Sequence, residues 1–223
     1  MKYILRLTIY FAGLFFLAIG INLAIKSNLG VSPVSALPLA ISNVVRVSLG
    51  TVTIAVYAFY ILVQVLILRR KFKLKSLFQI FFSFVFGFFV DFAAVLLHGI
   101  EVNNYLGQVL LMIISITTVS IGVVMFITMD IVPNAPDGLV LAICDKTGTD
   151  FGKIKVLFDC ASVIAAAGIS LVFIGNISTM REGTIISALL TGKVIGIISR
   201  HCAPCLKRAV FNNFSELPED IAA

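Results

Sequence analysis

Charge is scarce in this sequence: Asp, Glu, Lys and Arg make up 13% of its 223 residues, against about 25% in an ordinary soluble domain. So few charges cannot coat a water-facing surface of normal extent. Histidine is rarer still, with only His98 and His201. No His-Glu-x-x-His helix exists, and no second histidine completes a metal site within the apolar runs. Ser/His catalysis and nucleotide-binding motifs are equally missing, so neither an enzyme nor a cofactor is expected. Of the four cysteines, Cys202 and Cys205 have redox or half-metal-site spacing, but a zinc site needs four ligands. Reduced thiols at a helix end are the simpler reading.

What fills the chain instead is apolar: 60% of residues are hydrophobic and the mean hydropathy is +1.09. One core cannot bury that much apolar surface, so the solvent is expected to be lipid. A spanning helix takes about 20 mostly apolar residues. Six stretches qualify, at 4–25, 52–68, 74–97, 106–128, 154–174 and 184–199. The first has no small-residue cleavage site behind it and reads as a retained helix.

The net charge of +6 would suggest nucleic acid if the cations formed a face. They form short clusters between apolar runs instead, as topology signals do. An inside N-terminus places Lys2, Arg6, the 69–75 cluster, Lys146, Lys153, Lys155, Arg200, Lys207 and Arg208 on the cytoplasmic side. It leaves Lys26, Arg46 and Arg181 outside and Lys193 within a helix. Both termini are therefore expected in the cytoplasm, with residues 206–223 a disordered cytoplasmic tail.

The two halves resemble each other. Gly20, Asn28, Pro33, Ser35, Leu37 and Gly50 find counterparts 102 residues later at Gly122, Asp130, Ala135, Asp137, Leu139 and Gly152, and Gly87 pairs with Gly192 at a shift of 105. A three-span unit returns its copy upside down, which is the inverted repeat common in secondary transporters. The expected fold is all-α: a polytopic membrane protein of six helices in two inverted three-helix repeats, 1–100 and 101–205.

Residues 29–50 and 131–152 are too apolar for exposed loops, and the helical stretches within them are too short to span. Leu37–Ile41 and Leu139–Ile143 each read as about two helical turns, with Ser35 and Asp137 as caps and Pro38 in a first turn. They are expected as broken or re-entrant half-helices whose starts meet centrally and offer N–H groups to a ligand. A pair of interfacial helices with proline turns is the alternative. Asp91, Asp159 and Lys193 fall within spans, where each unpaired charge costs about 2.5–3.5 kcal/mol. A Lys193–acid pair is expected, either as a fixed ion pair or with the second carboxylate free for a proton or cation.

Together, Gly20, Leu29 to Pro33, Pro136 to Leu139, Leu49 to Thr51, and Arg181 to Thr184 with Gly192 and Lys193 resemble the YczE/YyaS/YitT group of bacterial membrane proteins over about residues 10–200. The resemblance implies a bacterial inner-membrane protein with a duplicated core and an inferred transport role. Its Gly-Thr turn matches Gly183 and Thr184, which marks 181–193 as one functional stretch. Members often carry an acid in the first proline segment where this chain has Ser35, so a two-acid scheme symmetric across the halves does not carry over.

The reading reached from sequence is a secondary transporter or permease of a small solute. Ser32, Ser35, Asn134, Asp137 and Lys193 would contact substrate, and Asp91 or Asp159 would couple to a proton or sodium ion. Membrane lipid is the other expected partner, homo-oligomerisation stays open, and nucleic acid is not expected. The alternatives are a scaffold or regulatory factor acting through a protein partner, and the substrate-binding subunit of a multipart importer.

Overall fold

The computed structural model describes residues 2–69, 72, 74–175 and 182–210. The described residues form eight α-helices and no strand: α1 (Lys2–Lys26), α2 (Pro33–Val45), α3 (Leu49–Leu68), α4 (Phe78–Leu96), α5 (Tyr105–Met129), α6 (Ala135–Thr147), α7 (Phe151–Ile174) and α8 (Glu182–Val210). Six of them, all but α2 and α6, are long and apolar enough to cross a membrane. At 1.5 Å per residue the 13 residues of α2 and of α6 reach about 20 Å, short of a hydrocarbon core of about 30 Å. The chain is thus an all-helical, multi-pass membrane protein with two short helices set among six spans.

The two short helices start one turn earlier than the sequence suggests. Their caps are Ser32 and Asn134, both in extended backbone, while Ser35 and Asp137 lie inside the first turn. Proline explains the difference: Pro33 and Pro136 occupy the first two helical positions, where a missing N–H costs nothing. Pro38 consequently falls inside α2 rather than in its first turn. Around the short helices the boundaries keep the 102-residue spacing. Pro33 and Ala135 begin the short helices, Val45 and Thr147 end them, and Leu49 and Phe151 begin the next spans. Arg46 and Gly148 both turn the chain through left-handed backbone.

The central contact is α1 against α5. An alanine methyl at Gly13 would stand 2.8 Å from Gly122 O, and one at Gly122 would stand 2.6 Å from Gly13 O. The backbones therefore touch, as small residues permit in lipid. Arg6 Nε donates to Met129 O at 2.6 Å, which sets the start of α1 beside the end of α5. Lys26 Nζ donates to His98 O at 3.2 Å, which sets the end of α1 beside the end of α4. Around this pair, α4 packs on α1 and α8 on α5, while α2 packs on α7 and α6 on α3. Tyr10, Leu17, Tyr57, Phe86, Val90 and Phe126 fill the main core, and a smaller one joins Leu29, Val31, Leu39, Met112, Ile116 and Ala166. Phe81, Phe84, Phe88 and Phe92 on α4 point outward, as lipid-facing side chains do.

One pairing has no counterpart. The helices α3 and α4 are in extensive contact, whereas α7 and α8 hardly touch among the described residues. Gly50 and Gly87 press against each other's backbone at the α3–α4 crossing, but Gly192 and Gly196 on α8 have nothing within 4 Å.

The last helix runs on to Val210, well past residue 199, because its hydrogen-bonded ladder continues after the apolar stretch ends. Residues 206–210 are thus helical, and the rest of the expected tail lies outside the described residues. Arg181, and Arg70, Lys71 and Lys73 of the 69–75 cluster, lie outside them too.

Candidate functional site

Asp137 follows Pro136 in the first turn of α6, where the positive end of the helix dipole favours a carboxylate. Four residues into α7 comes Lys155, and one turn later Asp159. Lys155 Nζ lies 3.2 Å from Asp137 Oδ1 and 3.1 Å from Asp159 Oδ1, and all three side chains are about a quarter exposed. The ammonium also sits 5.8 Å above the ring of Phe158. Two tyrosines of α3 close the group from the core side. Tyr57 stands near Asn134 and Tyr60 near Ser162. Tyr60 and Phe158 meet edge to face at 5.4 Å. Two carboxylates against one ammonium leave one negative charge, which a proton or a small cation would neutralise.

Lysine is thus the partner of Asp159, but it is Lys155 and not Lys193. Lys193 is exposed on α8 and forms no ion pair among the described residues. The rise per residue fixes how deep a side chain lies, not the direction it takes around the helix. α8 leans on α5 and leaves Lys193 on the outside, whereas Lys155 faces α6 across a short turn.

Asp91 is engaged elsewhere. Its Oδ1 accepts from Gly50 N at 2.7 Å and its Oδ2 from Ser48 Oγ at 2.7 Å, so a carboxylate on α4 satisfies the start of α3. The corresponding start of α7 is capped within its own turn: Asp150 Oδ2 accepts from Gly152 N at 2.9 Å and Lys153 N at 3.3 Å.

The serine and acid ends of the expected site are not brought together. Ser32 and Ser35 hydroxyls pair with each other at 3.1 Å at the start of α2. That start is fastened to α8: Gly183 N donates to Leu29 O at 2.8 Å, Val31 N to Thr184 Oγ1 at 3.3 Å and Ser187 Oγ to Val31 O at 3.3 Å. The space left beside Ser32 is about 10 Å³, room for at most one water. Asn134, capping Ala135 N at 3.0 Å, and Asp137 belong to the other group. Among the described residues no hydrogen bond, ion pair or cavity joins the two.

A larger cavity of about 290 Å³ opens beside α6, on the face where α1 begins. Gln64 on α3, Gln79 on α4, Gly138 on α6, the 131–133 segment and Asp145 line it. Both glutamines are 2% exposed, and Gln64 Nε2 donates to Ala135 O at 3.1 Å. Sequence reasoning passed over these amides and over Lys155 as a buried partner. The available signal was a lone amide inside an apolar run, as in Val63-Gln64-Val65 and Phe78-Gln79-Ile80, which needs a partner for the same reason a charge does.

Two Bacillus subtilis (strain 168) proteins are similar to this chain along most of its length. One, described as uncharacterized membrane protein YczE, is 27% identical over 193 residues, covering 86% of this chain and 84% of that protein. The other, described as uncharacterized protein YyaS, is 25% identical over 198 residues, covering 86% and 93%. No solved structure matches. A family model matches residues 4–200, which is most of the chain, and the chain belongs to that family, described as a family of unknown function (DUF6198).

Proposed function

We propose that this membrane protein is a secondary transporter of a small solute in the bacterial inner membrane, with both termini in the cytoplasm. The observation that carries the reading is the Asp137–Lys155–Asp159 group, with its unbalanced negative charge set between a short helix and a span. Charges within spans are expensive and persist where they move ions or substrates. Asp159 and Asp137 share the coupling role, and Lys155 holds whichever carboxylate is ionised. Asp91 serves the fold as the cap of α3, and Lys193 has no part in the site.

The helix boundaries spaced by 102 residues and the matching helix pairs support two inverted repeats. In such a protein the two faces open in turn. The segment before α2 is bonded to α8 and its space is filled, while the segment before α6 stands beside the cavity. This difference supports a conformation open on the N-terminal face and shut on the other.

The test is a thermal-shift screen of the detergent-purified protein against small metabolites at pH 6 and pH 8, run beside Lys155→Met and Asp159→Asn. A ligand that stabilises the native protein, drives proton movement in proteoliposomes, and loses that movement in both variants supports the reading. A folded protein with no ligand, or flux indifferent to both substitutions, refutes it.

A further inference from the structure

We infer that the cavity on the N-terminal face binds a small N–H-donating solute, a primary amine or primary amide, through Gln64 and Gln79. This deepens the transport reading, and depends on it only in taking the occupant as the transported solute.

Gln79 is 98% buried, lines the cavity, and its Oε1 has no hydrogen-bond partner. Native proteins leave few buried acceptors unpaired, and each needs a reason. Gln64 has fixed its own amide: because Nε2 donates to Ala135 O, Oε1 is left as the free end. Both amides crowd the bare backbone of Gly138. A methyl there would come within 2.7 Å of Gln79 Nε2 and 2.8 Å of Gln64 Oε1. Glycine thus keeps the floor of the cavity open between two amide groups.

The charge of the lining selects the solute. Asp145 contributes a carboxylate, and among the described residues no Lys or Arg lines the cavity. The Gly138 N–H is already spent on Asn134 O at 2.8 Å, so this part of the α6 start offers an anion nothing. Gln79 Oε1, Gln64 Oε1 and the Asp145 carboxylate are acceptors, and a donor fits them. About 290 Å³ is near the lower end of ligand pockets, enough for a small metabolite and too little for a lipid chain or a peptide.

The site also shares one helical turn with the charged group. Asp137 faces α7 and Gly138 faces the glutamines, so an occupant pressing on Gly138 and a proton on Asp137 act on the same rigid piece of backbone.

The experiment measures thermal stabilisation of the full chain in detergent by four sets of probes. These are primary alkylamines, primary amides, the matching N,N-dimethyl amides, and the matching carboxylates. Amines or amides should stabilise the native protein, and dimethyl amides and carboxylates should not. Gln79→Leu should weaken the donors about tenfold, the loss of one good hydrogen bond, and should melt higher than the native protein without ligand. Gln79→Glu keeps the shape and the oxygens and should retain amine binding, which guards against a leucine variant that fails to fold. Carboxylates binding in place of donors, donors indifferent to Gln79, or no probe binding at all would each overturn the inference. Binding that needs Gln79 while proton movement ignores Asp159 would leave this site standing and the transport reading fallen. Proton movement that needs Asp159 while solute binding ignores Gln79 would do the reverse.

Discussion

Replacing Gly87 by alanine places a methyl group where α3 and α4 touch. Its Cβ would stand 2.6 Å from Gly50 O and against the Ile54 side chain, and ordinary contact begins near 3.4 Å. A backbone carbonyl cannot turn aside, so the two helices must separate by roughly 0.8 Å. That movement stretches the bonds from Gly50 N and Ser48 Oγ to Asp91, now 2.7 Å each, to about 3.5 Å, where hydrogen bonding fades. Overpacking costs about 1–3 kcal/mol, and weakening a hydrogen bond to a charged group adds about 1 kcal/mol or more. Against this, alanine returns about 0.8–1.0 kcal/mol of helix propensity. The net loss should be about 1–3 kcal/mol. Gly192→Ala, at the matching place on α8, meets nothing within 4 Å and keeps only the propensity gain. Thermal or chemical unfolding in one detergent, with both variants side by side, measures the difference. Equal stability of the two variants would refute the argument: either α3 and α4 do not cross so closely, or α7 and α8 close on each other as tightly as α3 and α4 do.

Lys155→Met leaves two carboxylates facing one another and should cost about 1–3 kcal/mol in unfolding assays, below a fully buried pair because the group is partly exposed. Adding Asp159→Asn should restore part of that loss, and a double-mutant cycle reads the coupling. Lys193→Met should leave stability and solute binding unchanged and favour membrane insertion by about 2.5–3.5 kcal/mol on insertion scales, measured as the inserted fraction in a translocation assay. Thr184→Val removes the acceptor of Val31 N–H and should destabilise by about 1 kcal/mol. It should also speed thiol labelling of a Ser35→Cys variant from the face opposite the N-terminus, since Ser35 is buried while that bond holds.

The spans were legible because length and apolarity are properties of a segment alone. So were the two short helices, marked by apolar stretches with prolines and too few residues to cross. Boundaries needed finer rules. The caps at Ser32 and Asn134 were readable from Pro33 and Pro136 as first-turn residues, yet by side chain alone Ser35 and Asp137 are equally good caps. The end of α8 was hidden because polar residues from Arg200 onward stop a membrane span without stopping a helix. Partnership was the hardest to read. Depth made Lys193 a fair partner for Asp159, and only the packing of α8 on α5 shows that it faces away. That Asp91 would cap a helix 41 residues earlier, or that Gln64 and Gln79 would meet across Gly138, depends on contacts no local pattern encodes.

The two capping carboxylates have a mechanical consequence. Ser48 caps Thr51 N within α3 itself, but the Gly50 N–H is satisfied from another helix, so α3 cannot part from α4 without leaving that N–H bare. Asp150 belongs to α7 itself, and at the place on α8 matching Asp91 the chain has Gly196, without a side chain to hold anything. The start of α7 is therefore satisfied without its neighbours. One helix start is riveted to its neighbour and the other is fastened only to itself, so in the rocking of the proposed transporter the pivot is expected on the α3–α4 side.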